Sequence, residues 1–279
     1  MRLTPFGARP PASALAGLAV VAVILAAAAL APWVAPYGEA DLVGGVWDGP
    51  SPATLLGTDS LGRDMLSRLV YGARTTVGIA IATTALAFLI GCLAGFAAAI
   101  LRRTADAVLS RIVDVLLAIP VLISALIVLS VLGTSIPVLI GTIAVLESTR
   151  VFRVARAVAM TIAVLDYVEI AKLRGEGLGW VMGREILPNA LPPLIAEAGL
   201  RFCFIFLFIA SLSFLGLGIQ PPNADWGSMV RENAQAINFG VYAPLYPAAA
   251  IALLTVGVNL VVDWLLALHS RPGGQTVDL

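Results

Sequence analysis

Six long apolar blocks alternate with polar segments along the chain, near residues 12–32, 75–100, 108–132, 136–160, 190–217 and 244–268. A helix needs about 20 mainly apolar residues to cross roughly 30 Å of hydrocarbon, so each block predicts a transmembrane helix. Three of the intervening segments are long, at residues 33–74, 161–189 and 218–243. The pattern divides the chain into a tail (1–11), a first span with its outer loop (12–74), a five-helix core (75–268) carrying a polar loop at 161–189, and a second tail (269–279). The fold class it predicts is an all-α integral membrane protein.

Composition agrees with the blocks. The 279 residues are 59% hydrophobic and 12% charged, about half the charge of a soluble domain. Lipid is therefore the main solvent, and the formal net charge of zero gives no electrostatic argument for a nucleic-acid partner. Cys92 and Cys203 lie in apolar runs and behave as small hydrophobes, with no Cys/His cluster to suggest a metal. The first block ends in Ala27–Ala31, like a signal peptide. It is longer than a usual signal core, and Trp33 and Tyr37 follow as interfacial anchors.

Charge placement sets the orientation. With the N-terminus inside, Arg2, Arg9, Arg102, Arg103, Lys172, Arg174, Arg184 and Arg271 fall on the cytoplasmic side. The opposite side keeps Arg63, Arg68, Arg74 and Arg231, and its first loop adds Glu39, Asp41, Asp48, Asp59 and Asp64. Both termini are predicted to be cytoplasmic. No internal repeat or matched pair of broken helices appears, which argues against a secondary transporter.

The inner loop is the most informative segment. From Asp166 to Gly175 it reads as a short helix in which Glu169 and Lys172 can pair at i, i+3 while Val168, Ala171 and Gly175 form a second face. Gly175, Gly177, Gly179 and Gly183 then predict a break, and Pro188, Pro192 and Pro193 a helix start at re-entry. So short a helix needs a partner surface, and docking into a groove is its natural use.

Glu169-Ile170-Ala171, Gly175 and Ile186-Leu187-Pro188 resemble the EAA loop of permeases in bacterial ATP-binding cassette importers. Ile170 departs from that pattern, where alanine is usual. The resemblance implies that these seven residues couple the spans to a separate ATPase. Before the second block, Leu56-Gly57-Thr58-Asp59-Ser60-Leu61-Gly62-Arg63-Asp64 stands in the outer loop. Leu212-Ser213-Phe214-Leu215-Gly216-Leu217-Gly218 and Asp225-Trp226-Gly227 follow the fifth. These strings are similar to the dipeptide, oligopeptide and nickel branch of the same permeases, in particular the second of its two permease subunits. The likeness extends from Leu55 to Asp263.

That resemblance implies a type I importer permease of the bacterial inner membrane. Its partners would be a second homologous permease, two ATPase subunits that bind ATP and Mg, and an extracytoplasmic substrate-binding protein. Asp225, Trp226, Arg231 and Glu232 are the candidate receptor-facing residues. Physically, Gly57 and Gly62 allow tight turns, and Asp59 or Asp64 can cap or pair with Arg63 and Arg68. Their spacing is that of a P-loop, but Arg63 and Asp64 replace its Lys and Ser/Thr. The chain is thus expected to bind no cofactor itself and to rely on a partner for ATP hydrolysis.

Charges inside the blocks complete the candidates, because an ionisable group at membrane depth needs a partner or a wet cavity. Arg111 and Asp114 can pair at i, i+3, as can Glu147 and Arg150, with Arg153 and Arg156 continuing the row. Two readings fit these six: a structural, snorkelling set, or part of a solute pathway. Glu197, Arg201 and Asp263 are weaker candidates, and His269 reads as an interfacial residue. The sequence expectation is an importer permease for peptides or peptide-like solutes such as dipeptides, oligopeptides, opines or nickel chelates. A self-sufficient channel or ion-coupled transporter is the alternative.

Overall fold

The computed structural model describes residues 10–101 and 103–269, with the backbone alone at 103, 268 and 269. Arg2, Arg9, Arg102 and Arg271, and the side chains of Arg103 and His269, therefore lie outside the described residues. The helices in order are α1 (Ala12–Ala29), α2 (Ala31–Val34), α3 (Met65–Leu101), α4 (Arg103–Ala118), α5 (Val121–Leu132), α6 (Ile136–Ile162) and α7 (Asp166–Leu173). There follow α8 (Leu178–Trp180), a π turn (Val181–Ile186), α9 (Leu187–Phe214), α10 (Trp226–Glu232), a 3-10 turn (Ala234–Phe239) and α11 (Leu245–His269).

Four of these are long and apolar enough to cross a membrane: α1, α3, the unbroken stretch Leu178–Phe214 and α11. The bent pair α4–α5 makes a fifth candidate. The remaining long helix, α6, carries four ionisable residues and lies along α3.

Three spans differ from their expected form. The second begins at Met65, ten residues before the expected start at 75, because Asp64 caps it. Its carboxylate accepts from the Ser67 backbone N–H at 2.7 Å and from the Ser67 hydroxyl at 2.6 Å. The third is not one straight helix. It turns by 87° between α4 and α5, at Pro120, which lacks an N–H and holds Ile119 out of the helical region.

The fifth span starts well before residue 190. Gly175, at φ +80°, does end α7, with Glu176 N–H donating to the Ala171 carbonyl and Gly175 N–H to Lys172, a Schellman closure. Gly179 and Gly183, however, lie inside the helical stretch, and Pro192 and Pro193 inside α9. The intervening π turn carries an i→i+5 bond from Leu187 N–H to the Met182 carbonyl. Widening the coil there accommodates Pro188, which has no N–H to give and whose ring would crowd the preceding turn.

Close packing of α3 on α6 organises the bundle. Gly91 and Gly95 form a G-x-x-x-G pair, and a β-carbon on Gly91 would lie 2.6 Å from the Val151 β-carbon and 2.8 Å from the Ser148 carbonyl. Small residues let the backbones approach this closely without a hydrophobic driving force. Gly91→Ala is therefore expected to destabilise the protein by about 1–3 kcal/mol. Gly78→Ala in the same helix, where nothing lies within 4 Å, should leave thermal unfolding in detergent unchanged. Equal midpoints for the two variants would remove the packing argument.

Candidate functional site

The polar inner loop is a docked helix with one free face. Val168 and Ala171 of α7 are fully buried, as their shared face predicts, and Val168 joins a cluster with Phe96 of α3, Ala155 and Ala159 of α6, and Val181 and Ile186 of the π turn. Arg174 lies over the Trp180 ring at 5.8 Å and ties the end of α7 to the next helix. On the opposite face, Ile170 is 54% and Leu173 82% exposed, with Tyr167 and Glu169 beside them.

Two expectations for this loop change. Glu169 and Lys172 form no ion pair, among the described residues, although the spacing allows one. Ala171 of α7 and Ile186 of the π turn are buried, whereas Glu169, Ile170, Leu187 and Pro188 stay accessible. Gly179 and Gly183 instead help to line an apolar groove of about 820 Å³ between α3 and α9, whose other walls include Phe88, Phe96 and Phe202.

The outer strings fold into a latch. Gly57 and Gly62 take φ of +77° and +82°, which brings the loop back on itself. The Asp59 carboxylate accepts from the backbone N–H groups of Leu61 and Arg63 and pairs with Arg63 at 2.7 Å and Arg68 at 3.2 Å. The same two arginines reach Glu232 of α10, at 3.0 and 3.2 Å. Asn233 fastens the far edge, its Oδ1 accepting from Trp47 Nε1 and from the Ser60 backbone N–H.

The receptor-facing set is accordingly reduced. Asp225 is buried at the start of α10, where it accepts from the Ser228 backbone N–H at 2.8 Å and from Thr76 Oγ1 at 2.8 Å. Burial pushes its carboxyl above the usual range, and the Ser228 and Thr76 bonds oppose that shift. Trp226 is 1% exposed, donates to the Leu69 carbonyl and meets Phe206 edge-on at 6.1 Å. Both are interior residues, and Glu232 is engaged in the ion network. Of the four candidates Arg231 alone is exposed.

The charges of the spans are partnered across helices. Asp114 pairs with Arg153 of α6 at 3.0 Å rather than with Arg111, which makes no ion pair among the described residues. Arg156 takes Asp106 of α4 at 2.5 Å. Glu147 is buried and sits 3.9 Å from Arg150, within its own helix, and 3.6 Å from Arg201 of α9, which also holds Glu197 at 2.5 Å. Asp106 and the Gly91/Gly95 pair are the residues that sequence reasoning passed over. A G-x-x-x-G in an apolar block is the signal that marks the second.

Comparison with known proteins bears on this arrangement. Residues 87–271 match the family described as the inner membrane component of binding-protein-dependent transport systems. The chain belongs to that family.

The permease is 36% identical to the di/tripeptide transport system permease protein DppC of Pseudomonas aeruginosa, over 90% of this chain and 86% of that one. It is 35% identical to the dipeptide transport system permease protein DppC of Escherichia coli, over 90% and 86%. A probable D,D-dipeptide transport system permease protein, DdpC of Escherichia coli, is 33% identical over 92% and 87%. Among solved structures, an amino acid ABC transporter crystallised with histidines aligns with a TM-score of 0.53 at 18% identity. That match covers 74% of this chain and 95% of that one, and it supports the fold. The permease is thus a membrane subunit of an ATP-binding cassette importer, resident in the inner membrane.

Proposed function

We propose that this permease carries peptides or peptide-like small solutes, with dipeptides the first class to test and oligopeptides, opines and nickel chelates the others. The relatives named for di- and tripeptide transport support that cargo. The chain supplies half of the translocation path and a second homologous permease the other half. Six spans, with the bent α4–α5 pair and α6 counted as one each, leave both termini in the cytoplasm. ATP and Mg are bound by two partner ATPase subunits, and an extracytoplasmic binding protein delivers the solute to the outer face beside Arg231.

One observation carries the coupling role: α7 is anchored on one side by Val168 and Ala171 and offers an apolar face, Ile170 and Leu173, on the other. A free apolar face on a fixed short helix suits insertion into a groove of a partner. Seven residues in this segment, Glu169, Ile170, Ala171, Gly175, Ile186, Leu187 and Pro188, form the coupling element. Some make the surface and the others hold it in place.

Reconstitution tests the reading. The complete assembly, with binding protein outside and ATP inside, is expected to take up labelled dipeptide, and the purified chain alone is expected to take up none. Uptake by the chain alone at a rate indifferent to ATP would replace the importer with a self-sufficient transporter.

A further inference from the structure

Between α4 and α6 the described structure places charged side chains where lipid would be a poor neighbour. Arg150 stands one residue from the midpoint of α6, Ile136–Ile162, and about half of its side chain is exposed. Arg153 and its partner Asp114 are exposed by 59% and 51%. Arg111 is exposed beside them. An ion turned toward hydrocarbon is costly, so such groups face a bundle interior or water.

Opposite signs face each other across this strip. Each step of three residues along α6 is about 4.5 Å, and it carries Glu147, Arg150, Arg153 and Arg156 in turn, with Asp114 and Asp106 of α4 opposite the last two. A recess of about 430 Å³ opens against it, lined by Ser110, Val113, Asp114, Phe152, Arg153 and Arg156. That volume falls in the range of small-molecule sites, roughly 300–1,000 Å³. At the deep end, Glu147 Oε2 and Arg201 Nη1 are buried without a hydrogen-bond partner, although they lie 3.6 Å apart. A buried polar atom left so is expected to find a partner in some state of the protein.

We infer that the α4–α6 strip from Arg150 to Arg156 lines the inner half of the solute path, and that its row of arginines on α6 with carboxylates facing it from α4 serves a zwitterionic solute. A carboxylate exchanges from Arg150 to Arg153 to Arg156 as an ammonium exchanges between Asp114 and Asp106. The exposed Arg153–Asp114 pair is weak enough to open and re-form, whereas Arg156 grips both oxygens of Asp106 and is the tighter station. Glu147 and Arg201 mark the depth at which the path closes. This inference rests on the importer reading and assigns that path to a surface.

The test uses the complete transporter, purified with its partner subunits and reconstituted in proteoliposomes. Cys92 and Cys203 are replaced by alanine, and a single cysteine is placed at Ser110 or, as a lipid-facing control, at Val23 of α1. The probes are two membrane-impermeant methanethiosulfonates, one anionic and one cationic. Both are expected to label Ser110→Cys about tenfold faster than Val23→Cys. Trapping the ATPases with ATP and vanadate should change that rate about threefold.

Labelling no faster than the control would overturn the inference, since the strip would then lie against lipid or protein. Fast labelling indifferent to trapping would make it a static crevice, and access by one sign of probe alone would remove the zwitterionic assignment. Failure of the importer reading looks different: the assembly would show no ATP hydrolysis, whatever the labelling.

Discussion

Replacing Ile170 and Leu173 with aspartate is expected to abolish ATP-driven uptake and to lower recovery of the ATPase subunits with the permease by more than tenfold. Both side chains stand on the free face of α7. Burying an aliphatic side chain in a partner is worth about 1.5–3 kcal/mol, and about 1.4 kcal/mol is a factor of ten in affinity. Two lost anchors, with two carboxylates to desolvate, exceed that threshold comfortably. Val168 and Ala171, buried on the other face of α7, are untouched. Thermal unfolding of the permease alone should therefore stay near that of the parent. Co-purification at the parental level, with uptake preserved, would show that the ATPases grip another surface.

The second large effect belongs to the outer latch. Arg68→Met keeps most of the side-chain volume but leaves Asp59 and Glu232 to share the single cation Arg63. Breaking a buried pair by removing one partner costs about 3–5 kcal/mol, and Arg68 is almost wholly enclosed. The variant should melt far below the parent in detergent. Adding Asp59→Asn, which restores charge balance, should recover part of the loss. If Arg68→Met alone melted with the parent, the quartet would be an incidental surface cluster.

The long apolar helices α1, α3 and α11 were legible because they depend on local composition, and the same is true of the turns at Gly57, Gly62 and Gly175. Partners across helices were not. The i, i+3 rule offers Arg111 to Asp114, but Arg153 on the neighbouring helix holds that carboxylate. The choice is tertiary and leaves no local mark. Asp225 and Trp226 looked outward because a polar residue beside tryptophan suits an interface. The spacing of Asp225 to Ser228 is that of a helix cap, and the cap carries both residues into the interior. Pro120 was a readable warning of the bend in the third span, masked by apolar residues on both sides.

The helix that follows α7 runs unbroken for 37 residues, from Leu178 to Phe214. At about 1.5 Å per residue that is a rod of roughly 55 Å, clamped at its inner end by the Val181 and Ile186 contacts with α7. Its outer end packs through Phe206 on Trp226, in the same short helix as Glu232. A tilt imposed on α7 has no loop to dissipate it before it reaches the latch. α7 and the latch are thereby joined as the two arms of one lever, a whole helix apart.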